Sequence, residues 1–305
     1  MIKCYPEDFV VEEIPNYELG KGKYMYFLVE KRNYTTMRAL EHVARAFRIK
    51  TKQIGYAGIK DKYAVTRQYI SVLRGKEFSE RDLKVSFAGY RDRPLTLGDL
   101  WGNAFEIVIR DIDAIRPRER FVNYYGEQRF SHSNAEIGKA LIKGNFSEAC
   151  TLLLNGHGEY EEKIREHLGR LPNDHVGALR TLPEKLLLLF VHSYQSRLWN
   201  WLAKEVVEAG KEYERIPLLG FDTEISDPYL SGLVSSILEK ERVSLRDFIV
   251  RKIPSLTCEG DERDLYKRFH DLEIGEIVDG NCTVSFKLEK GAYATEALKA
   301  LMTFE

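Results

Sequence analysis

The stretch that decides how this chain is read is Ala57–Gln68, AGIKDKYAVTRQ. A single carboxylate, Asp61, stands between Lys60 and Lys62, with Arg67 further along. Neighbouring cations favour the ionised form of a carboxylate. Gly55 and Gly58 precede it and allow a tight turn or the close approach of another backbone. A wider window sharpens the pattern. From His42 to Lys76 there are nine cations and Asp61 is the one anion, an excess of +8 in a chain whose net charge is −1. Tyr56, Tyr63 and Tyr69 are interleaved with those cations. Cations that meet phosphates, together with aromatic faces on which bases stack, are what an RNA-facing surface requires. Lys60, Lys62 and Arg67 are accordingly the expected contacts to an RNA backbone. A solvated basic loop has the same composition. On these residues alone the solvated loop is the commoner explanation, and the lone carboxylate at its centre is what sets this stretch apart.

Outward from this stretch, strand and helix signals alternate. Residues 24–31, 67–73, 84–90 and 104–111 are rich in aromatic and β-branched residues and read as strands. Thr35 or Thr36 can cap a helix through Phe47, with Met37, Leu40, Val43, Ala44 and Phe47 on one face. The middle of the chain changes character. Short helices are expected over 134–170, and a long one after Pro183, where Leu186, Leu187, Phe190, Tyr194, Leu198, Trp201, Leu202 and Val206 recur at helical spacing. Residues 281–288 alternate as a strand again, and a helix follows Gly291. A strand-rich region that returns after a helical middle describes an α+β, sheet-based domain interrupted by an insertion. The expected division is 1–135 and 256–305 for the sheet-based domain and 136–255 for the insertion.

At 305 residues, 44% of them hydrophobic, the chain is long enough for two packed domains. Cys4, Cys150, Cys258 and Cys282 form no C-x-x-C pair, so neither a metal site nor a disulfide framework is expected. The first residues, MIKCYPEDFVVEE, contain no apolar run of the kind a signal peptide uses, and Leu186–Val191 is too short to span a bilayer. The expectation is a soluble, cytoplasmic protein with no membrane association and no obligatory protein partner. A P-loop, a dinucleotide-binding glycine fingerprint and an H-E-x-x-H zinc motif are all missing from the sequence.

AGIKDKYAVTRQ resembles the signature of the TruD family of tRNA pseudouridine synthases. Further segments resemble that family in the same order along the chain. IKCYPEDFVVEE carries a lysine followed by F-x-V-x-E, here Lys3 and then Phe9, Val11 and Glu13. Gly20–Thr36 resembles a G-x-G-x-H stretch, with Tyr24 at the histidine position. Leu95–Arg110 resembles an L-x-x-G-x-L-x-G-N-x-F strand. Asn123–Ser131 resembles N-Y-F-G-x-Q-R-F-G, with Tyr125 for the phenylalanine and Ser131 for the last glycine. Val191–Asn200 resembles an A-x-Q-S-x-x-F-N helix, and Lys290–Leu301 a terminal G-x-[FY]-A-T segment.

The resemblance implies a pseudouridine-synthase-type catalytic domain built on a mixed, mainly antiparallel sheet with flanking helices, interrupted by a largely helical α/β insertion. It implies an isomerase that converts uridine in tRNA, at position 13 of the D-arm, and needs neither cofactor nor metal. Asp61 is implied as the catalytic carboxylate. Three roles stay open for it: attack at C1′, addition to C6 of the base, or abstraction of the 2′ proton. Lys3 is the expected ion-pair partner of Asp61. Phe9, Tyr125 and Tyr293 are expected stacking surfaces for a flipped uracil, and Asn123 an amide that reads its edge.

Overall fold

The computed structural model describes residues 2–156 and 159–302. In chain order the first half contains β1 (Phe9–Ile14), β2 (Tyr24–Arg32), α1 (Thr36–Phe47), β3 (Gly55–Tyr56), β4 (Val65–Val72), β5 (Phe78–Glu80), β6 (Leu83–Arg91), β7 (Gly102–Arg110) and β8 (Arg120–Val122). The middle contains α2 (Asn134–Ile142), α3 (Phe146–Leu154), α4 (Glu159–Arg170), α5 (His175–Arg180), α6 (Glu184–Glu208), β9 (Arg215–Leu218), α7 (Pro228–Glu241) and β10 (Asp261–Asp264). The chain closes with β11 (Tyr266–Arg268), β12 (His270–Ile274), β13 (Asn281–Glu289) and α8 (Ala294–Met302).

These elements form two compact units. The first is Met1–Phe121 with Lys267–Glu305, and the second is Val122–Tyr266. The inserted unit is therefore longer at both ends than the expected 136–255. Phe121 still belongs to the first unit, where its ring lies 4.9 Å from that of Phe269. Two residues on, the Asn123 N–H donates to the Leu265 carbonyl at 2.8 Å, within the second unit. Such long-range hydrogen bonds leave no trace in local periodicity, so sequence pattern misplaced both borders.

Unit 1 is built on a nine-stranded sheet in the order β12-β13-β7-β1-β4-β2-β6-β5, with β3 paired to β4. Within this sheet β1 runs parallel to β4 and the other neighbours pair antiparallel, so the sheet is mixed and mainly antiparallel. Period-two alternation explains β1, where Phe9, Val11 and Glu13 are buried in turn. The capping expectation for α1 is met: the Thr35 hydroxyl accepts the Arg38 N–H at 3.2 Å, and the helix stops at Arg48 in the left-handed region, φ 56°. Leu40, Val43, Ala44 and Phe47 of α1 bury against Phe27, Val29, Ile70 and Val72 of β2 and β4. Truncating a fully buried leucine such as Leu40 to alanine would cost about 2–5 kcal/mol. A second apolar cluster packs Ala297, Leu298 and Leu301 of α8 with Phe9, Ile107 and Phe286.

Unit 2 is organised around α6, which buries Leu187, Phe190, Tyr194, Leu198, Leu202 and Val206 as the stripe predicts. One member departs from it. Trp201 is 36% exposed, while Trp199 is fully buried. No helix among the described residues is long and apolar enough to cross a membrane.

Candidate active site

Asp61 lies in the loop between β3 and β4, and that loop is fixed from several sides. Gly55 is obligatory at its start, because a Cβ there would meet the Leu95 carbonyl oxygen at 2.3 Å. Gly58 is different: a Cβ there would meet nothing within 4 Å. The Gly98 N–H donates to the Ala57 carbonyl at 2.8 Å, and the Lys60 N–H to the Thr36 hydroxyl at 2.9 Å. Gln68 Nε2 donates to the Gly58 carbonyl at 3.2 Å.

The carboxylate itself is half-buried, its side chain 35% exposed, and Lys3 Nζ donates to its Oδ2 at 2.6 Å. The Lys3 ammonium also sits 3.9 Å from the centroid of the Phe9 ring, which is buried at 2% exposure. Lys3 adopts φ 61°, a left-handed conformation that lysine seldom occupies and that the two contacts over-determine. Asp61, Lys3 and Phe9 are thus assembled into one cluster.

Two buried lysines stand behind this cluster. Lys31 is fully buried and donates to the carbonyls of Asp61 at 2.8 Å and Tyr34 at 2.7 Å. Burial lowers its pKa from the usual 10.5 to about 8; the Asp61 carboxylate opposes that change and the Lys60 ammonium adds to it. Sequence reasoning missed Lys31. The signal was its phase in β2, where Phe27, Val29 and Lys31 all face inward. The second is Lys60, only 8% exposed, which pairs with buried Glu13 at 3.1 Å and also donates to Asn103 Oδ1. Burial pushes the Glu13 carboxyl above its usual range, and the Lys60 charge holds part of that rise back.

The basic stretch is consequently not one RNA-facing strip. Lys60 points inward, because a buried Glu13 without a cation would be an uncompensated charge. Arg67 is half-exposed but already held by two carboxylates, Glu30 at 2.7 Å and Glu12 at 3.3 Å. The cause is register: on β4, Arg67 stands opposite Glu12 of β1 on one side and Glu30 of β2 on the other. Of the three expected backbone contacts, Lys62 alone is exposed and, among the described residues, in no ion pair.

Residues 1–167, 153–216 and 202–301 match the family described as tRNA pseudouridine synthase D (TruD). The chain belongs to the TruD family. A relative from Aquifex aeolicus, named tRNA pseudouridine synthase D, is 30% identical over 98% of this chain and 97% of its own length. A Methanopyrus kandleri relative, named "Probable tRNA pseudouridine synthase D", is 31% identical over 94% of this chain and 87% of its own. The solved structure of a TruD candidate from Methanosarcina mazei superposes with a TM-score of 0.78 at 24% identity, covering 100% of this chain and 93% of that one. That likeness establishes the TruD fold for the whole chain.

The remaining residues expected from the TruD motifs are divided between the two units. Asn123 and Tyr125 belong to unit 2. Asn123 is 1% exposed; its amide donates to the Asp264 carbonyl at 3.0 Å and accepts from Arg263 at 2.8 Å. Both ends of that amide are hydrogen-bonded within unit 2. Tyr125 is half-buried, with the Arg263 guanidinium 4.0 Å from its ring centroid and Trp199 edge-on at 5.8 Å. Its main chain is clamped to the Asn200 amide at 2.9 and 3.0 Å, which joins two TruD motifs. Tyr293 is half-buried in unit 1 just ahead of α8, its carbonyl accepting the N–H groups of Glu296 and Ala297.

Proposed function

We propose that this TruD-family chain converts uridine to pseudouridine in tRNA, with uridine 13 of the D-arm as its target and Asp61 as its catalytic carboxylate. The observation that carries the reading is the Lys3–Asp61 pair, set in a loop whose backbone is held on both sides. The reaction breaks the N1–C1′ bond and forms a C5–C1′ bond. The proton on C5 leaves to solvent and N1 gains one, so the product is an isomer of the substrate. That chemistry calls for one carboxylate, already ionised and oriented, beside the sugar of an extruded nucleotide. Lys3 orients Oδ2, while the ring of Phe9 supports the Lys3 ammonium. Tyr293 serves as a stacking face for the uracil, and Lys62 meets the RNA backbone. The part played by Asp61 stays within the three roles given above.

The test uses tRNA carrying tritium at C5 of uridine. The wild-type chain releases tritium in proportion to pseudouridine formed. Asp61→Asn, with an unchanged unfolding curve, releases none above background. Turnover by that variant within tenfold of wild type would remove Asp61 from the chemistry.

A further inference from the structure

Ile59 is 74% exposed, the highest value for any large apolar side chain among the described residues. Single exposed apolar residues are common and usually mean nothing. Three observations set this one apart. It stands two residues from Asp61, at most about 7 Å of extended chain away. The segment that carries it is held on both flanks, by hydrogen bonds at Ala57, Gly58, Lys60 and Asp61. The neighbouring segment presents a second apolar side chain, Leu97, 68% exposed. The two segments are stapled together by the Gly98–Ala57 hydrogen bond, and Lys290 Nζ caps the Gly98 carbonyl at 3.0 Å.

Isoleucine is also stiff, so little rotamer freedom is lost when it is inserted between other groups. A nucleotide that leaves a helix to reach Asp61 leaves a gap in the stack. Apolar side chains inserted between base steps are how proteins hold such a gap open. We propose that Ile59, flanked by Leu97, is the wedge that occupies the place of the extruded uridine in the RNA stack. This is a positioning role, and it rests on the reaction proposed above.

The experiment compares wild type, Ile59→Ala and Ile59→Leu on two tRNAs. One is the native sequence. In the other, the base opposite the target uridine is replaced by an abasic site, so that extrusion costs less. Conversion is followed by tritium release, and unstacking by 2-aminopurine placed beside the target. The expected result is a loss of at least tenfold in single-turnover rate for Ile59→Ala on the native tRNA. The fluorescence rise falls in parallel, the deficit is within threefold on the abasic tRNA, and Ile59→Leu is within threefold of wild type on both. An equal loss on the two tRNAs, or no loss on either, overturns the wedge. Wild type inactive on both would instead overturn the underlying reaction and the wedge with it.

Discussion

Lys31 offers a sharp physical test of how the Asp61 loop is supported. It is fully buried, and its ammonium is spent on two carbonyls rather than on a carboxylate. Its pKa falls from 10.5 to about 8 in the fold because burial disfavours the charge. Below pH 8 the folded and unfolded chains both hold the proton. Between pH 8 and about 10.4 the unfolded chain still holds a proton that the folded chain has released, so stability rises with pH across that window. The difference of about 2.5 units corresponds to about 3 kcal/mol when complete, with about 2–3 kcal/mol of it realised between pH 7 and pH 10. The wild-type curve alone does not isolate this effect. Burial pushes the thiols of Cys150 and Cys258 from 9.0 up to about 11, which removes stability as pH rises from 9 to 11. Lys31→Met separates the two. It keeps the length and apolar stem and leaves the Tyr34 and Asp61 carbonyls without that donor, a cost of about 1–3 kcal/mol that does not depend on pH. Urea unfolding of both proteins at intervals from pH 7 to pH 10 gives the stability difference at each pH. That difference, wild type minus Lys31→Met, should grow by about 2–3 kcal/mol in favour of wild type. A difference constant to within about 0.5 kcal/mol would mean that Lys31 keeps its ordinary pKa and that the reasoning about its burial is wrong.

Three further outcomes follow from the same geometry. Glu13→Gln and Lys60→Met should each destabilise by about 3–5 kcal/mol in urea unfolding, while the double variant costs clearly less than the two together, because removing both partners leaves no unpaired buried charge. Gly55→Ala should cost at least about 1–3 kcal/mol, since its methyl group meets the Leu95 carbonyl, whereas Gly58→Ala, with open space around it, should change stability by less than about 0.5 kcal/mol; equal effects would contradict the loop geometry. In tRNA-binding titrations, Lys62→Ala should lower the slope of log affinity against log salt by about 1, and Arg67→Ala by much less, because Glu12 and Glu30 already neutralise that guanidinium.

Much of this protein is legible in its sequence. Period-two alternation and β-branched content located β2, β4, β6, β7 and β13, a threonine cap began α1, and helical spacing after Pro183 began α6. Those are local effects, set by where neighbouring side chains face, so local pattern reports them. Ordered motifs likewise singled out Asp61, with Lys3 and Phe9 as its companions, and the fold brings these three together. What the tertiary structure alone decided is which charges are available. Lys60, Lys62 and Arg67 are alike in composition, yet one is buried against Glu13, one is exposed, and one is shared by two strands. Lys31 was unremarked in the chain and becomes the support beneath Asp61. The reason is that a charge acquires its role from its partner and its solvation, and both depend on residues far apart in sequence. The chain itself determined that one carboxylate would be set among cations around Asp61. Strand register and burial determined which of those cations hold the carboxylate's loop and which remains exposed.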